Sequence, residues 1–335
     1  MGYSIDSCSD GGDDMQVGFK LVTEAFDPKE IVRQAVEAER AGFDFVDMSD
    51  HYHPWLYSQG HAGFAWSMLG AAAAKTNTIG LVTGVTCPSI RIHPAIIAQA
   101  AATTAILSEG RFTLGVGSGE RLNEHVVGGD WPPVRVRHQM LRESIEIIRL
   151  LWSGGNQSYE GRYLTLDDAR VFDLPDVLPT IAVAAGGPAS VALAAELGDG
   201  IFATASKPEL LRAYVKAGGS GPKYAALPIS WARDEHTAVE LAHRMLRFGL
   251  LGWKTLTELK NTADYEAVLS SVRPEDVREA ITCGPDVQQH LEPARAYVDA
   301  GIDHLTLMNA GPDVDGFFEF FSNEMSAPLR ALARP

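Results

Sequence analysis

Cysteine is scarce. Cys8, Cys87 and Cys283 are the three in 335 residues, and they are widely scattered. An odd, dispersed set makes neither a disulfide framework nor a zinc-ligand spacing, and it suits a reducing, cytoplasmic setting. Positive charge is also short: 28 Lys and Arg stand against 43 Asp and Glu, a net charge of −15. A duplex binder must neutralise phosphates with basic surface, so nucleic acid is excluded as a partner. An acidic surface still allows an anionic ligand held by a few local donors. Long apolar runs are missing, so no membrane-spanning helix is expected. The opening MGYSIDSCSDGGDDMQ has no basic stretch before an apolar one, so no secretory signal is expected. Asp6 stands where a myristoylation pattern needs a hydroxyl residue. Residues 1–14 therefore read as a flexible N-terminal tail and 15–335 as a single domain. No HExxH-type spacing exists. Asp50, His51, His53 and His61 are the nearest to a metal-ligand set, but Pro54 and Trp55 interrupt any regular ligand face, so no metal is expected.

What the chain does have is alternation. Apolar residues make up 46% of it. Short apolar runs at 17–22, 43–48, 78–86, 111–119, 179–187, 199–206, 226–232 and 304–311 alternate with amphipathic stretches. The first of those stretches carries Asp27 as N-cap, Pro28 at the first helical position, Glu30 to close a capping box and Gly42 as the stop. Eight strands alternating with helices predict parallel βαβ units and a TIM-like (β/α)8 barrel. A doubly wound sheet needs a glycine-rich turn after its first strand, and KLVTEAFDP has no glycine. Residues 120–137 are expected as a long loop, 153–179 as an insertion, and 233–272 as a largely helical excess.

In such a barrel the C-terminal strand ends face the active site. Polar clusters gather at five of them. After the second strand comes Asp50-His51-Tyr52-His53-Pro54-Trp55; after the third, Gly84-Val85-Thr86-Cys87-Pro88; after the fourth, GSGERLNE, with Gly119, Glu120 and Asn123. The fifth ends in Gly186-Gly187 and the sixth in Thr204-Ala205-Ser206-Lys207. His51 is the candidate proton carrier, tuned by Asp50 or Glu120. Its bland alternative is a capping histidine, which is the reading kept for His53. Trp55 is either a ring platform for a ligand or a lid over the core. Glu120 is either an aid to a helix N-terminus or an acid facing the pocket. The Gly186-Gly187 pair opens a helix, where free N–H groups and the helix dipole suit an anion.

SDHYHPW, GVTCPSIRIHPAIIAQA, GVGSGERLNE, LRESIEIIRLLWSG, AAGGPA and GDGIFATASK resemble, in this order and spacing, the luciferase-like superfamily of deazaflavin-dependent barrels. Within it they are similar to the coenzyme F420-dependent glucose-6-phosphate dehydrogenase family. The resemblance implies a TIM-like barrel with insertions, usually a homodimer, with F420 as cofactor. It implies His51 as the base, Trp55 as the residue that orients substrate or steadies the reduced ring, and Glu120 as the acid on the pyrimidine side of the ring. Asp50, Gly84, Val85, Gly119, Asn123, Gly186, Gly187 and Thr204 are implied as cofactor contacts, with a cis peptide at Gly84–Val85. Lys207 stands for the first phosphate-binding lysine and Lys254 or Lys260 for the second. The arginine position holds Glu279 or Ala280, with Arg278 beside it. Cys87 replaces an expected threonine and Gly84 an expected serine, so Cys87, Lys207 and Lys260 are the candidate substrate contacts. The implied function is oxidation of glucose-6-phosphate or a less polar alcohol. An FMN-dependent monooxygenase and a non-catalytic deazaflavin carrier are the alternatives. The segment 244–259, rich in Met, Phe, Leu and Trp, is either a pocket for an apolar alcohol or plain helix packing.

Overall fold

A computed structural model describes residues 15–204 and 207–333. The proposed tail at 1–14, with Cys8, and the strand-six end at Ala205-Ser206 lie outside the described residues. The barrel strands are β1 (Gln16–Leu21), β2 (Phe45–Met48), β3 (Gly80–Thr83), β4 (Phe112–Val116), β5 (Thr180–Ala185), β6 (Gly200–Ala203), β7 (Lys223–Ser230) and β8 (His304–Asn309). Each pairs in parallel with its neighbours in the order β7-β8-β1-β2-β3-β4-β5-β6, and β6 pairs with β7 to close the ring. All eight expected strands are therefore present, in a closed barrel.

The first βα unit shows why the elements form where they do. The Asp27 carboxylate accepts from the amides of Lys29 and Glu30, and Gly42 ends the helix Pro28–Ala41 at φ 86°. Glu30 does not close the expected capping box. It accepts instead from Arg33 and Gln34, one turn further along the same helix face. Ile31, Val32, Ala35 and Ala38 of this helix are buried against the strands.

The excess segments are more ordered than a loop reading implies. Residues 120–137 contain the short helix Arg121–Glu124 and the start of the helix Val134–Trp152. Residues 153–179 contain an antiparallel hairpin, Gln157–Glu160 with Thr165–Ala169. Glu143 anchors its tip by accepting from the amides of Arg162, Tyr163 and Leu164, each at 2.9 Å. The third excess is helical, as expected: Glu235–Leu246, Trp253–Leu256 and Thr262–Val268. Among the described residues no helix is long and apolar enough to cross a membrane.

Side chains alternate across each strand, so one set faces the helices and the other fills the barrel. Deep in the interior Tyr224 stacks on Phe202 at 5.6 Å and meets Phe45 edge-on at 5.6 Å. Gly18 makes room for this plug: a Cβ there would lie 2.3 Å from the Phe45 ring.

Candidate active site

Above the aromatic plug the interior turns polar. Lys20 and Asp47 sit side by side in the β1–β2 register, both buried, with 3.0 Å between Nζ and Oδ1. Burial raises the Asp47 carboxyl, and the Lys20 charge opposes that. Lys20 Nζ also donates to the Gly84 carbonyl at 2.5 Å. A Cβ on residue 84 would fall 1.6 Å from Asp47 Oδ1, so Asp47 occupies the space a serine would need. The Gly84–Val85 peptide is cis.

His51 stands at the end of β2. Its Nδ1 lies 3.3 Å from Glu24 Oε1 and 3.3 Å from the His53 carbonyl. Two acceptors on one nitrogen assign the proton to Nδ1, which leaves the Nε2 lone pair for an incoming hydroxyl. Glu24 comes from the turn after β1 and is itself buried, with Thr23 Oγ1 donating to its Oε2 at 3.2 Å. The expectation that Asp50 or Glu120 tunes His51 is therefore corrected: the carboxylate at the ring is Glu24. Asp50 is committed elsewhere. Arg91 Nη2 donates to it at 2.8 Å, and the Thr86 hydroxyl donates to its other oxygen.

Trp55 combines its two readings. Its ring is 4.8 Å from the His51 ring, and it is only 5% exposed. Phe248 stacks on it at 5.1 Å and Tyr265 meets it edge-on at 5.2 Å. The third insertion thus folds down onto the strand-two loop, and Thr262 Oγ1 fixes it there by donating to the Pro54 carbonyl at 2.7 Å. Most apolar residues of 244–259 are spent on packing of this kind: Leu246, Leu251 and Leu256 join the clusters around them.

The strand-four end braces the same loop. Asn123 Oδ1 accepts from the amides of Tyr52 at 2.9 Å and His53 at 3.3 Å, and its Nδ2 donates to Glu120 Oε2 at 3.4 Å. Glu120 sits at the N-terminal position of its short helix without a side-chain cap bond, so the capping role falls away. Glu124 accepts from the Arg91 amide at 2.7 Å, and burial pushes its carboxyl up to about 7. Cys87 lies beneath Gly119, where a Cβ would come within 2.8 Å of Sγ, and φ is +80°. Burial first, then the Glu124 charge, pushes this thiol well up, so it is a neutral wall rather than a nucleophile. His53 stacks on His125 at 5.6 Å; burial and then the His125 charge lower it.

At β5 the glycine amides are not free. Gly186 and Gly187 both donate to Ser190 Oγ at 3.2 Å, which corrects the expectation of unpaired N–H groups. Gly187 nevertheless borders open space, with nothing within 4 Å of a Cβ built on it. A Cβ on Gly186 would lie 2.8 Å from Thr204 Oγ1, so the ends of β5 and β6 touch. Lys207, Lys254 and Lys260 are exposed, and none makes an ion pair among the described residues. The Lys260 amide donates to Asp264 at 3.1 Å. Arg278 is paired with Glu235 at 2.5 Å.

Residues 13–304 match the luciferase-like monooxygenase family. The chain belongs to this family. A relative from Nocardia farcinica (strain IFM 10152) named F420-dependent glucose-6-phosphate dehydrogenase is 34% identical, over 96% of this chain and 99% of its own length. One of the same name from Segniliparus rotundus is 35% identical, over 95% and 99%. A solved structure described as an F420-dependent secondary alcohol dehydrogenase in complex with an F420-acetone adduct superposes with a TM-score of 0.86 and 29% identity. It covers 94% of this chain and 99% of that one.

The mouth of this luciferase-like barrel opens beside the end of β5. The room at Gly84, Gly119 and Gly186 is taken by Asp47, Cys87 and Thr204, while the space at Gly187 is open. Among the described residues no group of three or more His, Cys, Asp and Glu is arranged to hold a metal. Glu24, Arg91, Glu124 and Ser190 carry the site's hydrogen bonding yet stand outside the sequence-derived set. The signal for Glu24 was its position: it follows a barrel strand at the same end as the other five clusters.

Proposed function

We propose that this protein is a coenzyme F420-dependent dehydrogenase that oxidises a secondary alcohol or hemiacetal carbon, and runs in reverse as a carbonyl reductase. The observation that carries the reading is His51, held through Nδ1 by a buried carboxylate with Nε2 left for a substrate hydroxyl. When bound, the deazaflavin supplies a two-electron hydride acceptor. His51 takes the hydroxyl proton as the carbon gives up its hydride, and Glu24 stabilises the imidazolium that forms. Trp55, backed by Phe248 and Tyr265, keeps water from the reacting carbon. Glu120 serves the pyrimidine side of the ring. Backbone at Gly84, Val85 and Gly119 beds the ring, and Gly186, Gly187 and Thr204 take the tail. Asp50 and Asn123 act through the loop they brace.

Glucose-6-phosphate and a less polar alcohol are both candidate substrates. The phosphate would rest on Lys207 and Lys260, with Cys87 beside the ring. Arg278 pairs with Glu235 at the surface, where such a pair holds the arginine only weakly. Residues 15–335 act as one domain, in a cytoplasmic homodimer with small-molecule partners and neither nucleic acid nor membrane. The test is fluorescence titration with F420 and separately with FMN, then bleaching of bound F420 by glucose-6-phosphate and by apolar secondary alcohols. Tight F420 binding with bleaching by either substrate class is expected. Binding of FMN but not F420 would sink the dehydrogenase reading.

A further inference from the structure

The barrel interior holds an ion pair directly above its aromatic plug. Asp47 lies two residues beyond Phe45 on the same face of β2, and Lys20 faces it from β1, both buried. Withdrawing two ions from water is costly, and apolar residues of similar volume often hold a fold as well or better. Stability of the barrel gives no reason for the pair, but what the pair touches does. Lys20 Nζ donates to the Gly84 carbonyl, just past β3, at 2.5 Å. The Asp47 carboxylate fills the room of the missing side chain at residue 84, with Oδ1 1.6 Å from a Cβ placed there. One member grips the Gly84 peptide and the other occupies the space beside it. Val85 comes next. It is half-buried, and with Ala184 it packs onto the plug of Phe45, Phe202 and Tyr224. A Cβ on Gly117, past β4, would lie 2.8 Å from Val85 Cγ2, so the side chain is also confined from that side. Val85 is therefore the upper surface of the barrel filling, and the tether from Lys20 sets the height of its backbone.

We infer that Lys20 and Asp47 are positioning residues, which together fix the Gly84–Val85 backbone as the floor on which the deazaflavin ring rests. This rests on the F420 reading proposed above. Lys20 supplies the tether. Asp47 keeps the ammonium aimed at the Gly84 carbonyl and stands in for a side chain at residue 84. Proton transfer from the substrate stays with His51.

The experiment compares the full native chain with Lys20→Met/Asp47→Leu and with Asp47→Asn. Each is followed by urea unfolding, by fluorescence titration with F420 and by the absorption spectrum of the bound cofactor. The double variant puts apolar groups in place of the pair, so its unfolding midpoint should match or exceed the native one. Its Kd for F420 should nevertheless rise about tenfold, because the Gly84 carbonyl has lost its charged donor. The absorption maximum of the bound cofactor should also move toward that of free F420. Asp47→Asn keeps the shape and drops the charge that holds the ammonium, and its Kd should rise about threefold. A native Kd and spectrum in a double variant that folds overturns the inference alone. If that variant does not fold, a native Kd in Asp47→Asn overturns it. No F420 binding by the native chain overturns the cofactor reading and this inference with it.

Discussion

A histidine is a base in one direction only when something fixes its ring, and Glu24 does this for His51. Glu24→Gln keeps an oxygen for Nδ1–H but removes the charge that steadies the imidazolium. We expect kcat to fall about tenfold to a hundredfold, and His51→Asn to cost about 10²–10⁴-fold, with F420 affinity within about twofold in both. Steady-state rates and titrations check this; native turnover in Glu24→Gln removes Glu24 from the mechanism. Glu124 bears on pH. Its carboxyl sits at about 7 against an ordinary 4.5, because burial penalises the ion. The folded state therefore holds a proton that the unfolded chain has already released. The stabilisation is complete below about pH 4.5 and is lost as pH rises through about 7, on the order of 3 kcal/mol at most. Glu124→Gln should flatten that dependence between pH 5 and pH 8 in urea unfolding; parallel native and variant curves would refute it. At this scale the placement of His51, Trp55 and Glu120 just past the ends of β2 and β4 was legible because they stand in motifs that follow strands. The contact of Glu24 with His51 was not, since it depends on the pairing of β1 with β2 across 27 residues. Asp50 was assigned to His51 from adjacency alone, yet side chains next to each other in extended chain point apart.

Loops from three strands share the task of holding the base. Arg91, after β3, grips Asp50 of the strand-two loop and Glu124 beyond β4. Asn123 closes the circle through the amides of Tyr52 and His53. Asn123→Ala leaves those two amides without their acceptor. We expect a loss of about 1–3 kcal/mol in unfolding free energy, and a fall in kcat larger than the change in F420 affinity, because the loop that loosens carries His51 rather than the ring bed. Denaturation and kinetics on one preparation check both; equal losses in kcat and affinity would point to a general collapse of the mouth. The eight strands could be read from sequence because each is a short apolar run bounded by caps and turns. The hairpin Gln157–Glu160 and Thr165–Ala169 could not. Its residues are mostly exposed and polar, and it owes its place to Glu143 on a neighbouring helix rather than to its own pattern. Helices in the third insertion followed from periodicity. Their landing on Trp55 through Phe248 and Tyr265 did not, because those contacts join segments roughly 200 residues apart.

The closed ring couples these parts. β8 sits between β7 and β1, and β6 pairs with β7, so no strand can leave without breaking two ladders. One continuous core runs from Met15 to Leu329 between the strands and their helices. A chain built this way should unfold in one transition, and a ligand seated across several strand ends should stabilise all of it at once. At a hundred times its Kd, F420 adds about 2.7 kcal/mol, which for a barrel of this length raises Tm by roughly 3–5 °C. FMN at the same concentration should leave Tm unchanged. The measurement is calorimetry of the full chain with each cofactor, without substrate. Two separate transitions would divide the chain into more than one domain. A single transition raised by F420 alone would tie the glycine-lined strand ends to the deazaflavin independently of any turnover. A rise with FMN alone would move the same strand ends to flavin chemistry and leave His51, with its buried Glu24, in need of another role.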